Sequence, residues 1–360
     1  MRVALLNPVY WPEVRRGSER FARELADGLL ARGHAVQLIT SHRGKPTTTV
    51  EDGLEVVRVW RPPVEERLRR RLYEDHLAHV PFSYMALRRS GAEVAHALYA
   101  TDAMAALRYK RDTGAPAIFS YMGIPHRISL ANRRQRKEIV SRACRECDAV
   151  VALSETAAEG FRTWLGVEAH VIAPPVDLAT FAPDGAPRAE VPTILCAADH
   201  TQPRKRVGLL VEAFELVRRQ HPEARLLLSR IKDAPGPWAG RPGIEEVDLD
   251  DRASLAEADR RAWVHALPSW GEAFGLVLAE ALACGTPVVG SQREVVGGTD
   301  TGRVIDSEDP EELATALLET IELAQQPGTA AACRARAERW SVDACAASYE
   351  ALYKSARDAA

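Results

Sequence analysis

The chain is predicted to be an α/β protein made of two Rossmann-like, doubly wound domains, and three observations predict it. Short apolar or β-branched runs alternate with amphipathic helical stretches through the first half of the chain. The rhythm breaks at Ala173-Pro174-Pro175-Val176-Asp177, in a Pro-, Gly- and Asp-rich stretch that runs to Pro192. It then restarts. Alternation of strand and helix implies a parallel sheet covered by helices on both faces, and 360 residues suffice for two domains at roughly 100–200 each. The expected boundaries are residues 1–175 for the N-terminal domain, 176–192 for a linker, 193–340 for the C-terminal domain and 341–360 for a closing helix.

The elements follow in order. Arg2–Asn7 reads as a buried strand. Ser18 is placed to cap a helix with the apolar stripe Phe21, Leu25 and Leu29, and Gly33 ends it before a strand at Ala35–Thr40. Further strands are expected at Leu54–Trp60, Val94–Leu98, Pro116–Phe119, Asp148–Leu153 and Ala169–Ile172. Past the break come strand Thr193–Ala197, helix Arg204–Gln220, strands Arg225–Ser229 and Trp263–Leu267, helix Phe274–Cys284 and strand Pro287–Gly290. Asp309-Pro310-Glu311-Glu312 is a helix start with proline in the first turn. Helices Ala330–Arg339 and Val342–Ala356 close the chain. Two such sheets in tandem place ligands at the carboxyl ends of their strands, in a cleft between domains.

Composition narrows the class. With 46% hydrophobic residues and a net charge of −3, disorder is excluded as the main state. No run of 18 apolar residues occurs, and the start of the chain has too few apolar residues for a signal-peptide core. The expectation is a cytoplasmic protein whose six cysteines are reduced core residues. Charge divides unevenly: +5 over residues 1–185 and −8 over 186–360. Arg67, Arg69, Arg70 and Arg71 form one basic cluster, and seven Arg/Lys between 127 and 145 against the single acid Glu138 form another. The plain reading is solvated helix faces. The sharper one is peripheral contact with an anionic membrane, on the inner face. Nucleic acid is disfavoured because no recognition motif accompanies the charge.

The stretch 267–289 carries the chemistry. A strand ends at Pro268, a loop holds Glu272, and a helix is expected to begin near Phe274. Small residues Ala273 and Gly275 let a ligand approach the backbone, and the amides of the first helical turn form an anion site. Glu280 interrupts an apolar run on that helix, and an unpaired buried acid is costly, which favours a ligand-binding role.

Two carboxylates with seven residues between them, followed by Ala283-Cys284-Gly285-Thr286-Pro287-Val288-Val289, resemble the signature of the retaining family-4 glycosyltransferases of GT-B fold. Gly17-Ser18-Glu19 is similar to the family's N-terminal loop, Val176-Asp177-Leu178 with Phe181 to its crossover, and Pro203-Arg204-Lys205 to its phosphate-binding segment. The resemblance implies transfer of a hexosyl unit from a UDP- or GDP-sugar to an acceptor hydroxyl with retention of configuration. It implies an acceptor-binding N-terminal domain and a donor-binding C-terminal one. Lys205 would neutralise the leaving diphosphate. Glu272, with amides of Ala273, Phe274 and Gly275, would bind the transferred sugar, and Glu280 the ribose. Leu276 and Val277 amides, with the loop at Gly17, would hold the diphosphate. Catalysis would proceed without a metal or other cofactor, the departing phosphate helping to deprotonate the acceptor, and domain closure would exclude water.

Three positions depart from the family pattern. Asp199 stands where an arginine is usual, so either Arg204 or Arg206 substitutes for it or activity is impaired. Arg206 stands where glycine usually follows the lysine. The histidine that relatives place near the sugar has no counterpart after Phe119, and His126 is the residue that could fill the role from a shifted loop. Two alternatives follow: a non-catalytic GT-B relative that binds nucleotide or glycan, and a sugar-nucleotide epimerase of the same fold. The acceptor itself, whether small molecule, glycan or lipid-linked, is open.

Overall fold

A computed structural model describes residues 1–13, 17–231, 236–238 and 240–359. The chain divides into two units. The first comprises Met1–Pro175 with Val342–Ala360, the second Val176–Ser341.

The first unit is built on β1 (Arg2–Leu6), β2 (Ala35–His42), β3 (Thr47–Glu51), β4 (Leu54–Trp60), β5 (Val94–Ala97), β6 (Ala117–Tyr121), β7 (Ala149–Ala152) and β8 (His170–Val171). They form one sheet in the order β3-β4-β2-β1-β5-β6-β7-β8. Every neighbouring pair is parallel except β3 with β4. Val3–Leu6 and all of β5 and β7 are buried, which is why they read as apolar runs, interrupted in β5 only by His96. β3 escapes that reading. It is an exposed edge strand, with Val50 74% exposed, so burial imposes no pattern on it. Its local signal is Asp52-Gly53, both at positive φ, the turn that suits a two-residue hairpin.

The second unit has β9 (Thr193–Cys196), β10 (Arg225–Ser229), β11 (Ile244–Val247), β12 (Val264–Leu267), β13 (Val288–Gly290) and β14 (Gly302–Val304). Their order is β11-β10-β9-β12-β13-β14, parallel throughout. This is the doubly wound order, and the winding reverses between β9 and β12, the position where such sheets bind ligands. Residues 176–192 are tied to this unit. Arg334 donates to the carbonyls of Leu178 and Phe181, Trp263 to Ala189, and Arg188 to Ala262 and Gly285.

The closing helix, Val342–Asp358, packs in the first unit on the helix Gly17–Ala31. Gly28 makes this possible: a Cβ there would stand 2.7 Å from Ala346 Cβ and 2.9 Å from Val342 Cγ1. Tyr349 and Tyr353 are fully buried, and their hydroxyls meet the sheet through His96 and Ser120. All six cysteines are free thiols, five of them buried. Among the described residues no helix is long and apolar enough to cross a membrane.

Candidate functional site

In the second unit, the loops that follow β9 and β12 flank the switch point and are joined to each other. The amide of Trp270 donates to the carbonyl of Arg204 at 2.7 Å. Across the same junction Lys205 Nζ reaches Glu272 Oε2 at 2.7 Å, and Arg204 Nη1 reaches the same oxygen at 3.1 Å. One carboxylate therefore holds two cations.

Backbone geometry sets this up, and it corrects two sequence expectations. The expected helix Arg204–Gln220 is a single 3-10 turn, Pro203–Lys205, followed by an α-helix from Val207. Arg206 between them has φ +51°, which breaks the helix and turns Arg204 and Lys205 out of its register. The helix expected to begin at Phe274 begins at Leu276. Gly275 precedes it at φ +89°, outside the helical region, and Phe274 is buried edge-on against Trp340, with ring centroids 5.2 Å apart. The first-turn amides at Leu276 and Val277 have no acceptor within their own helix. Ala273 and Phe274 are buried beside them.

The electrostatics centre on one buried acid held by two cations. Burial alone would raise the pKa of Glu272. The charges of Lys205 and then Arg204 outweigh burial and hold its carboxyl below the ordinary glutamate value. Glu280 lies on the following helix and is almost wholly buried. Arg206 instead pairs with the exposed Glu308 at 2.7 Å. Asp199 is bound into its own turn: Oδ1 accepts from Thr201 N and Oγ1 at 3.0 and 2.6 Å, and Oδ2 from Gln202 Nε2 at 2.9 Å. It thereby shapes the loop that delivers Lys205. Gln292 is a neighbour the sequence did not flag. Its Cγ would lie 3.1 Å from a Cβ at position 275, so its side chain lies against the backbone at the helix start.

Two expected site residues lie in the first unit. Gly17 begins the first helix, is exposed, and has open space where a Cβ would be. Ser18 lies inside that helix rather than capping it, and its hydroxyl donates to Glu19. Residues 14–16 of this loop lie outside the described residues. His126 caps the short helix Arg127–Ala131: its Nδ1 accepts from Ser129 N at 3.3 Å, while its own amide donates to Ser129 Oγ at 3.0 Å.

The first unit also gathers a polar cluster that sequence reasoning missed, beyond the carboxyl ends of β5 and β6. His79 Nε2 stands 3.0 Å from Asp102 Oδ1, both fully buried. The His76 ring meets Tyr99 edge-on at 5.3 Å, and Arg136 grips Glu74 through two bonds of 2.6 and 3.0 Å. Burial, then the neighbouring charge of His79, pushes His76 down to about 3. Burial also raises Tyr99 and Tyr121, and raises Glu74 against the pull of Arg136. Thr101 Oγ1 and Asp102 Oδ2 are buried without a hydrogen-bond partner. The residues come from separate segments between 74 and 136, so no local motif announced them. The available signal was the position of Tyr99, just past a strand end. Among the described residues, no group of three or more His, Cys, Asp or Glu side chains is placed to hold a metal ion.

Residues 15–180 match the family model described as Glycosyltransferase Family 4, and residues 191–322 the model described as Glycosyl transferases group 1. The chain is 28% identical over 346 residues to a phosphatidyl-myo-inositol mannosyltransferase of Mycobacterium tuberculosis, covering 89% of this chain and 86% of that protein. With the protein of the same name from Mycolicibacterium smegmatis it is 33% identical over 210 residues, 53% of this chain and only about half (54%) of that one. Among solved structures, sucrose-phosphate synthase of Thermosynechococcus elongatus superposes with a TM-score of 0.80 at 21% identity, over 100% of both chains. Anabaena HepE, solved in complex with UDP-glucose, does so with a TM-score of 0.71 at 14% identity, over 99% of this chain and 100% of that one. At such identities the likeness is one of fold.

Proposed function

Since this chain belongs to the family-4 glycosyltransferases of GT-B fold, we propose that it moves a hexosyl unit from a nucleoside diphosphate sugar, UDP- or GDP-linked, to an acceptor hydroxyl with retention of anomeric configuration. The observation that carries the reading is the convergence of Lys205 and Arg204 on Glu272 beside the helix start at Leu276.

Bond breaking leaves negative charge on the diphosphate, and groups already aimed at that charge lower the barrier most. Lys205 and Arg204 supply it with fixed cations, and the amides of Leu276 and Val277 with fixed dipoles, so no metal is invoked. Glu272, freed from the cations as the diphosphate arrives, accepts hydrogen bonds from hydroxyls of the transferred sugar, with the amides of Ala273, Phe274 and Gly275 alongside. Glu280 accepts from the ribose. The bond from the anomeric carbon to the phosphate oxygen breaks and the acceptor oxygen bonds to the same face of that carbon. The acceptor's proton passes to the departing phosphate, so no nucleophilic side chain is required. The acceptor is assigned to the first unit, beside the cluster of His76, Tyr99 and Arg136 beyond the ends of its strands. His126, whose Nδ1 caps the helix Arg127–Ala131, keeps the proposed role of reaching the transferred sugar from its loop.

The test is nucleotide release from a panel of UDP- and GDP-sugars, with the product's anomeric configuration read by NMR. Lys205→Ala should lower the rate by roughly 10²–10³, the usual effect of removing one such donor. Tight nucleotide binding without turnover on any acceptor would favour a binding protein. Conversion of the donor with no acceptor present would favour an epimerase.

A further inference from the structure

The two basic runs, some sixty residues apart in sequence, form one strip in the first unit. A parallel bridge pairs Tyr73 with Arg134. Glu74 N donates to the carbonyl of Arg134 and Arg134 N to that of Leu72, at 3.0 and 2.7 Å. Arg133 reaches the carbonyl of Arg69. Residues 64–75 and 127–138 together hold nine basic and five acidic side chains. Most of those acids are already engaged. Glu65 is buried and accepts backbone amides, Glu66 pairs with Arg43, Glu74 with Arg136, and Asp75 with Arg69 and Arg133. Arg67, Arg70, Arg71, Arg127 and Lys137 are exposed and make no ion pair among the described residues.

Apolar side chains stand out of the same strip. Leu72 is 57% exposed and Ile128 67% exposed. Leu72 is moreover at φ +60°, a backbone conformation leucine rarely adopts, held there by the hydrogen bonds to Arg69 and Arg134. Unpaired basic side chains in the same joined segments as protruding aliphatic ones match a bilayer interface: cations meet lipid phosphates and the aliphatic groups enter the acyl boundary. They match nucleic acid poorly, because the ring that could stack on a base, Tyr73, is already covered by the Arg134 guanidinium at 5.4 Å.

We infer that this strip docks the protein on an anionic lipid surface. The strip shares Glu74 and Arg136 with the polar cluster assigned to the acceptor, so docking would bring that cluster to an acceptor carried by lipid. Only this last step rests on the transferase reading.

The experiment is co-sedimentation of the full chain with vesicles of phosphatidylcholine, alone or with phosphatidylglycerol. Binding is expected only with phosphatidylglycerol and should weaken as salt rises. The triple variant Arg67→Ser, Arg70→Ser, Arg71→Ser should lower the partition constant roughly a hundredfold, which corresponds to about 1 kcal/mol per basic residue. Leu72→Gly should lower it by about tenfold, and glycine suits φ +60°, so this variant stays folded. Both variants should keep wild-type turnover of a soluble donor. Absence of vesicle binding, equal binding to neutral vesicles, unchanged binding of the variants, or tighter binding to duplex DNA or RNA would overturn the inference. A wild-type protein that docks but turns over no nucleotide sugar would overturn the transferase reading and leave the docking intact.

Discussion

His96 offers a quantitative test of how the closing helix is held. The imidazole is fully buried, with Nδ1 2.7 Å from the Tyr353 hydroxyl and Nε2 2.7 Å from Ser120 Oγ, which in turn lies 2.9 Å from the Tyr349 hydroxyl. The groups facing it are two tyrosines and a serine, and among the described residues no carboxylate is bonded to it to balance an imidazolium. Burial pushes its pKa from 6.5 down to about 3. The folded state therefore binds the proton less readily than the unfolded chain does. The stabilisation is complete above pH 6.5 and is lost progressively as pH falls toward 3. One pKa unit is worth about 1.4 kcal/mol, and integrating between pH 7 and pH 4.5 gives a loss of about 2.5 kcal/mol from this histidine. His96→Gln keeps a hydrogen-bonding side chain but cannot take up a proton. Urea unfolding of both proteins at the two pH values isolates the term. The variant starts less stable, yet should lose about 2.5 kcal/mol less than the wild type on acidification. Parallel losses would show that His96 is not held neutral, and that the bonds to Tyr353 and Ser120 do not shield it as described.

The other predictions concern the second unit. Glu272→Gln removes the acid that Lys205 and Arg204 share, so calorimetry should show free UDP or GDP binding about tenfold more tightly, while sugar transfer falls. Weaker binding would mean that the acid and the diphosphate do not compete for those cations. Glu280→Gln should weaken binding of the sugar nucleotide by about 1.5–3 kcal/mol, the range for a hydrogen bond to a charged group, and unchanged affinity would remove the ribose assignment. Arg206→Gly relieves a left-handed residue at about 1–2 kcal/mol, against about 0.5–1 kcal/mol of added chain entropy. It gives up only a surface ion pair with Glu308. Thermal or urea unfolding should show a net gain of up to about 1 kcal/mol, and a clear loss would mean that the pair matters more than the strain.

Much of the site could be read locally. Lys205, Glu272 and Glu280 lie in two short segments whose loop-then-helix pattern is carried by Pro203-Arg204-Lys205 and by Gly271, Ala273 and Gly275. The resemblance to a known family rests on those same segments. Local reading failed where backbone conformation overrode propensity. Arg206 and Gly275 at positive φ end or delay helices that the apolar spacing alone would extend. It also failed at β3, whose exposure leaves no pattern to read.

The amino-acid order alone determined the two α/β halves, because a strand buried on both faces is predominantly apolar and a helix covering it must carry an apolar stripe. It also determined which short segments bear the cations and acids. Tertiary structure decided what those segments meet. The pairing of Lys205 with Glu272 across 67 positions, the joining of Arg67–Leu72 to Arg133–Arg136, and the assembly of His76, Tyr99, Asp102 and Arg136 all depend on strand order and crossovers. Side chains far apart along the chain have no periodicity in common, and only the folded path makes them neighbours.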